Sequence, residues 1–326
     1  MTIKKETNAI ILAAGKGSRM KSETIKVLHD VAGKSILGHV LDAVTLSCDQ
    51  LYVVVGYQAN AIKSKFLDKN IQFVEQNEQL GTGHAVDQVI PSLNSQIDSN
   101  TIVLAGDCPL IQSSTLEQLF ETHQNNNAAV TILTTHMKNP HGYGRILRDN
   151  NQTVLGIKEQ KDCSDHELKI TEINSGIYVF KTDLLINNIK KITPNNKQAE
   201  YYLTDMIQIL QKQNEKIETV ILDDENEISG VNTRADLAHI NKTIYQNNNV
   251  YHMSCGVTII DPSSTFIDSD VLIGMDTVIH PFSVIRTGSV IGKGCHIGPF
   301  ALLDNQQVID FDTIAHNVAT SPIKHT

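Results

Sequence analysis

Between Ser263 and Asp310 an aliphatic side chain returns at every sixth place: Ile267, Ile273, Ile279, Ile285, Ile291, Ile297, Leu303 and Ile309. Eight in unbroken succession are very unlikely by chance and are the signature of a parallel β-helix built from hexapeptides. With about three hexads to a coil, the run amounts to nearly three coils. The next residue in this phase is Ala315, too small to continue the column. The repeat is therefore expected to stop near Ile309, with the polar tail AHNVATSPIKHT, including His316 and His325, beyond it.

The first 230 or so residues follow a different rule. Short apolar runs (AIILA, LYVVV, IQFV, TIVLA, AVTILTT) alternate with segments of helical spacing near residues 35–46, 59–66, 82–89 and 113–123. Such alternation predicts an α/β fold, a mostly parallel, doubly wound sheet covered on both faces, in which ligands lie beyond the C-terminal strand ends. The segments AAGKGSR and GDCPL fall at two of those ends. RADLAHINKTIYQ, from Arg234, has helical spacing and connects the two regions. The expected division is an α/β domain over 1–230, a linker helix over 231–250, and a short left-handed hexapeptide β-helix with its tail over 251–326.

The net charge of −9 argues against a dedicated nucleic-acid or anionic-membrane binder, so any phosphate site must be local. Lys16, Arg19, Lys21 and Lys26 form such a local cluster around GKGS, whose glycines let successive N–H groups curl into an anion-binding nest. Two familiar phosphate loops fail on spacing. Leu28 stands where a Walker A loop before Gly33 needs glycine, and no Ser or Thr follows Lys16. Met20 occupies the third glycine place of the dinucleotide fingerprint. No run is long enough for a membrane span and MTIKKETNAI lacks the apolar core of a signal peptide, so a cytoplasmic protein is expected. The five cysteines are scattered and form no C-x-x-C, which indicates neither a disulfide framework nor a zinc knuckle.

Taken in chain order, LAAGKGSRM with the later Lys26, VAGKSILGHV, EQLGTGHA, GDCPL, GYGRI, INSGIYVF, EYYLTD and GVNTRADL resemble the bacterial bifunctional family of N-acetylglucosamine-1-phosphate uridylyltransferase and glucosamine-1-phosphate acetyltransferase. The resemblance covers nearly all of that family's nucleotidyltransferase domain and the start of its hexapeptide domain. It implies a Mg²⁺-dependent reaction of UTP with N-acetylglucosamine 1-phosphate, in which the sugar phosphate oxygen attacks the α-phosphorus and expels pyrophosphate. By resemblance, Leu12, Ala13, Ala14 and Gly15 contact the nucleotide, as do Ala105 and Gly106, while Arg19 and Lys26 hold the triphosphate. Gln76, Gly81 and Thr82 match the region that reads the uracil. Gly144, Glu159, Asn174, Tyr202, Thr204 and Asn232 match sugar and sugar-phosphate contacts, and Asp107 with Asn232 match the Mg²⁺ ligands. An acidic residue at the end of a buried strand suits that role, because a hard cation bridging phosphates takes carboxylate and amide oxygens. His29, His39 and His84 lie near these motifs, form no metal-like pair, and read as packing or loop residues.

There are departures. Ile25 stands where the family commonly has Pro before the lysine, which removes a conformational constraint and predicts a more mobile empty loop; Ser18 replaces a usual Thr. The resemblance also implies a homotrimer through the β-helix. Acetyl transfer, which the family carries out in later coils, is expected to be absent because only seventeen residues follow Ile309. Two other readings stay open: another sugar 1-phosphate or nucleotide on the same scaffold, and a catalytically silent assembly subunit.

Overall fold

A computed structural model describes residues 6–93, 98–315 and, for the backbone, 318–319. The chain forms two compact units, Met1–Leu28 with Leu37–Gly230, and His29–Ile36 with Val231–Thr326. No helix among the described residues is long and apolar enough to cross a membrane.

The first unit is built on a nine-stranded mixed, mostly parallel sheet. Its central strand, Thr7–Ala13, pairs in parallel with Gln50–Val55 on one side and Asn100–Ala105 on the other. Gln72–Glu75 extends the sheet beyond Gln50–Val55, again in parallel. On the other flank Glu172–Lys181 runs antiparallel between Asn100–Ala105 and Val130–His136, and Ile217–Leu222 closes that edge in parallel with Val130–His136. The hairpin Arg145–Arg148 with Val154–Lys158 branches off Glu172–Lys181.

The near-continuous apolar strands are explained by cores on both faces. Ala9, Ile11 and Ala13 point into one cluster with Val53, Ile102 and Leu104; Ile10 points into the other with Tyr52, Val54 and Val103. From Ala9 onward alternate side chains of one strand thus feed two cores, while Thr7 and Asn8 at its start are buried and donate to Asp49 Oδ2 and Ser99 Oγ. The helix Ile36–Thr45 buries Leu37, Val40, Leu41 and Val44, a 3-4-7 stripe, against the first core. Ala85, Val86, Val89 and Leu93 cover the second.

In the second unit the helix Arg234–Ser254 opens on a capping box: Thr233 Oγ1 accepts the Asp236 N–H at 3.2 Å, and Asp236 Oδ2 accepts the Thr233 N–H at 2.8 Å. Beyond it, two-residue strands stack into three parallel sheets of four, four and three strands. Ile267, Ile279, Ile285, Ile291, Ile297 and Leu303 fill the interior, with Ile273 partly buried against them. The segment 29–36 also belongs here. Its hairpin, Asp30–Val31 with Lys34–Ser35, is tied down through Ala32, whose N–H donates to Asn241 Oδ1 at 2.9 Å and whose carbonyl accepts from the Ser269 N–H at 3.0 Å. Gly33 has φ +81°, and a Cβ there would lie 2.6 Å from Asp268 Cγ, so glycine is required.

The six-residue phase fails at its last expected member. Ile309 is 74% exposed, and Val308, 8% exposed, takes the interior place opposite Ile291. The cause is a shortened turn: three residues, Asp304 to Gln306, separate Leu302–Leu303 from Gln307–Val308, where four separate His296–Ile297 from Leu302–Leu303. The column then resumes one residue early at Ile314, paired with Ile297, not at Ala315, and a further strand, Val318–Ala319, pairs with Leu302–Leu303. The expectation that the repeat stops near Ile309 is therefore wrong. His316 and His325 lie outside the described residues.

This register is open to a direct comparison. Val308→Ala should cost about 1–2 kcal/mol of stability and Ile309→Ala less than about 0.5 kcal/mol. Urea unfolding of the two variants measures this, and a larger loss for Ile309→Ala would restore the unbroken six-residue phase.

Candidate functional site

The ladder pairs Leu12 with both Val54 and Ala105, so the loops that follow Ala13 and Ala105 leave the sheet side by side. Gly106 ties them together: its N–H donates to the Leu12 carbonyl at 2.9 Å. After Ala14 the chain turns outward through the exposed Gly15 and Lys16, and Gly17 adopts φ +62° before a single 3₁₀ turn, Ser18–Met20. Met20 is buried and anchors that turn, while Arg19 stays exposed. The chain then folds back over the loop, and a Cβ on Gly17 would lie 2.6 Å from Lys26 Cβ. Gly17 is thus needed twice, for its left-handed backbone and for the closeness of Lys26.

Lys26 and Asp107 form a hydrogen-bonded ion pair, Nζ to Oδ2, that is only partly open to solvent. Ile25, in the place of the family's proline, is 1% exposed and packs in the core with Ala13, Val27 and Leu37. Burial of that side chain supplies the anchorage that a ring would have supplied through φ. The other Asp107 oxygen accepts from Cys108 Sγ at 3.6 Å. Burial, with the Asp107 charge adding to it, pushes the Cys108 thiol well above its ordinary value, which leaves it a neutral packing group and no nucleophile. Lys16 lies 5.6 Å from the ring centroid of Tyr57, an aromatic contact between residues forty-one positions apart that no local motif marks.

Among the described residues no three His, Cys, Asp or Glu side chains gather as a metal-binding group. A lone carboxylate beside a glycine loop still fits Mg²⁺, which keeps several waters and is held by one or two carboxylates plus substrate phosphates. Asn232 lies in the second unit, just before the capped helix, with its N–H donating to Asp236 Oδ2 at 3.0 Å.

Gly56, which no motif marks in the sequence, follows the strand Gln50–Val55 as Gly106 follows Asn100–Ala105. It lies between two carbonyls: a Cβ there would come within 3.0 Å of both Ala14 O and Gln76 O. Gly81 is held with φ +113°, where a Cβ would meet the Tyr201 carbonyl at 2.6 Å. The Thr82 hydroxyl accepts the Leu203 N–H at 3.0 Å, and the Gly83 N–H donates to the Tyr201 carbonyl at 2.7 Å. The segment 80–83 is thereby clamped to 201–203, and Thr82 acts first as a structural acceptor.

A cavity of about 440 Å³ opens beside Glu159, Tyr202 and Thr204, a volume suited to a small ligand. The Thr204 hydroxyl donates to Glu159 Oε1 at 3.4 Å. Gly144 accepts the Asn174 N–H at 3.0 Å, and a Cβ on it would lie 3.5 Å from Glu159 Oε1. Asn174 Nδ2 donates to the Tyr178 hydroxyl at 2.7 Å, and the Tyr202 hydroxyl is hydrogen-bonded to Gln198. Asp162 and Asp205 also line the cavity. Asp162 has no sequence signal, and the only one for Asp205 is its place at the end of EYYLTD. Burial raises the Glu159 carboxyl above its ordinary value, Thr204 opposes this, and the charges of Asp162, Asp205 and Glu200 add to it. Asp205 is likewise raised by burial and by Asp162.

Residues 9–167 match the model of the MobA-like NTP transferase domain, and 270–305 match the bacterial transferase hexapeptide (six repeats). The chain is similar to three proteins each described as the bifunctional protein GlmU. That of Enterococcus faecalis is 43% identical over 318 residues, 97% of this chain and 69% of the relative. That of Syntrophomonas wolfei is 45% identical over 293 residues, 90% of this chain and 65% of the relative. That of Lactococcus lactis is 50% identical over 270 residues, 82% of this chain and 58% of the relative. Against the last two the chain spans less than two-thirds of the relative's length.

The raised Glu159 carboxyl gives stability a definite pH dependence. A carboxyl whose folded-state value lies above its unfolded one favours the fold while neutral, and that contribution is lost as pH rises from the ordinary value of 4.5 through the folded value. Glu159→Gln, which stays neutral, should match the parent in Tm near pH 4 and exceed it near pH 7.5. Thermal unfolding at both pH values tests this; a Tm difference that does not change with pH would remove the assigned cause.

Proposed function

Because the chain belongs to the GlmU family, we propose that it transfers a uridylyl group from UTP to N-acetylglucosamine 1-phosphate, releasing pyrophosphate and forming UDP-N-acetylglucosamine, with Mg²⁺. The observation that carries this reading is the Lys26–Asp107 ion pair: Asp107 lies just past the strand Asn100–Ala105, and Lys26 packs against Gly17 of the loop that leaves its parallel neighbour Thr7–Ala13.

Two polyanions must meet in this reaction, so the protein's work is to neutralise charge and align the groups. The backbone of Leu12 to Gly15 and of Ala105 and Gly106 holds the nucleotide, and Arg19 and Lys26 hold its triphosphate. Gln76, Gly81 and Thr82 face the base. Gly144, Glu159, Asn174, Tyr202 and Thr204 hold the sugar, whose hydroxyls and acetamide suit the carboxylate and amide groups around the 440 Å³ cavity. Bound Mg²⁺ would supply Lewis-acid stabilisation of the phosphate oxygens, with Asp107 as its carboxylate ligand. Asp107 would hold the cation and Lys26, its ion-pair partner here, would serve the triphosphate. The sugar phosphate oxygen then attacks the α-phosphorus in line, the bond to the β-phosphate oxygen breaks, and pyrophosphate leaves with its electron pair. No enzyme nucleophile is needed, in keeping with the inert Cys108. The proposal includes a homotrimer in the cytoplasm assembled through the hexapeptide unit, whose turns expose Phe282 and Phe300 stacked at 5.0 Å.

Pyrophosphate release measured across UTP, dTTP, CTP, ATP and GTP with several sugar 1-phosphates tests the pairing of substrates. Turnover with another pair, and none with UTP and N-acetylglucosamine 1-phosphate, would replace this reading.

Two substitutions test the roles. Asp107→Asn should retain the fold and lose most turnover, with partial recovery at high Mg²⁺, because an amide attracts the cation less than a carboxylate does. Near-normal activity at low Mg²⁺, with an unchanged circular dichroism spectrum, would rule the role out. Arg19→Ala and Lys26→Ala should each lower kcat about 10²–10³-fold while raising KM for the sugar phosphate far less. A rise in KM with kcat untouched would reassign both to ground-state binding.

A further inference from the structure

Gln76 follows the strand Gln72–Glu75 and is 3% exposed. Its Nε2 lies 3.1 Å from the Gly81 carbonyl oxygen and 3.0 Å from His84 Nδ1. A carbonyl oxygen can only accept, so the group facing Gly81 is the NH₂, and the orientation of the amide is fixed before any ligand arrives. Its second hydrogen is then directed at His84, so Nδ1 accepts and the imidazole carries its proton on Nε2. Both amide hydrogens are engaged inside the protein, and both hydrogen bonds of this side chain leave from its nitrogen. Oε1 therefore has no hydrogen-bond partner among the described residues, and it is not sealed from solvent as a fully buried orphan would be.

His84 is held in its turn. It sits in the short helix Thr82–Asp87, and its ring lies against Tyr201, the centroids 6.4 Å apart and the planes tilted by 38°. Tyr201 belongs to the segment that clamps Gly81 and Gly83, so the ring and the carbonyl that fix the amide are braced by the same residue.

We propose that His84 is a positioning residue that locks the Gln76 amide with its oxygen outward, so that the pocket selects a pyrimidine carrying a ring N–H. The proposal rests on Gln76 facing the base, as in the uridylyl reading above. Uracil has a hydrogen on N3, whereas cytosine has a lone pair there. An amide free to rotate could accept from the first or donate to the second, so a flipping Gln76 would discriminate poorly between them. The Gly81 carbonyl alone opposes rotation with one hydrogen bond; the lone pair of His84 Nδ1 adds a second. His84 therefore has a function that the reading of it as a packing or loop residue missed.

The test is the ratio of kcat/KM for UTP to that for CTP in three proteins. His84→Phe keeps a ring against Tyr201 and removes the acceptor. His84→Asn places an amide oxygen near the position of Nδ1. The ratio should fall about tenfold in His84→Phe, the scale of one neutral hydrogen bond, and recover in His84→Asn. A parallel loss toward both nucleotides, with the ratio unchanged, would mark His84 as merely structural and overturn the proposal. Nitrogen-15 spectra of histidine-labelled protein give a readout that needs no turnover: His84 should show a proton on Nε2 and none on Nδ1, and the opposite tautomer overturns the lock. A parent protein that does not favour UTP over CTP overturns the uridylyl reading and the proposal with it, whereas a UTP-selective parent whose His84→Phe variant keeps that selectivity overturns the proposal alone.

Discussion

The parallel pairing of Thr7–Ala13 with its two neighbours is the constraint from which the candidate site follows. Parallel strands all end at the same edge, and the register that sets Leu12 opposite Ala105 brings the two ends level there. Residues nearly a hundred positions apart are thereby brought together by backbone hydrogen bonds alone. The Lys26–Asp107 pair adds charge to a placement the sheet has already made. Apolar packing on both faces keeps the strands in that register, because a one-residue slip would exchange the sets that feed the two cores.

Much of this was legible in the sequence because it depends on periodicity. Apolar runs of strand length, separated by segments of helical spacing, specify a doubly covered sheet whichever residues fill them, and the loops after the first and fourth such strands had to lie at its ligand-binding edge. What periodicity does not carry is the state of an individual side chain. The raised Glu159 carboxyl depends on burial and on Asp162 and Asp205, which are near it only in the folded chain. Ile25 looked like the loss of a constraint because a backbone restriction can be read from a sequence and a buried side chain cannot. His84 reads from the sequence only as a packing or loop residue for the same reason: its contact with Gln76, eight residues away, is made only in the folded chain.

The hexapeptide region shows the limit of periodicity from the other side. The column of aliphatics identified the architecture, yet counting in sixes placed Ile309 inside and ended the repeat. What is conserved from coil to coil is the pairing of each two-residue strand with the one below, and the turns between can lose a residue without breaking it. Val308 and Ile309 are both aliphatic, so the sequence offered no contrast by which to detect the slip. Only the pairing partner, Ile291, distinguishes them.

The segment 29–36 gives the chain an uncommon connectivity. Three residues after Lys26 the polypeptide leaves the first unit, docks its hairpin against Asn241 and Ser269 of the second, and returns at Leu37 to begin a helix of the first. The boundary between the units is thus crossed three times, near residues 28, 36 and 230, and no single cut separates them. A fragment ending at Gly230 would retain this hairpin but none of its docking partners, leaving Val31, Ala32 and Ile36 to find other cover. The first unit is therefore not a detachable module in the sense that tandem domains are: anyone grafting it onto another scaffold must carry along, or redesign, eight residues whose folding instructions lie two hundred positions downstream.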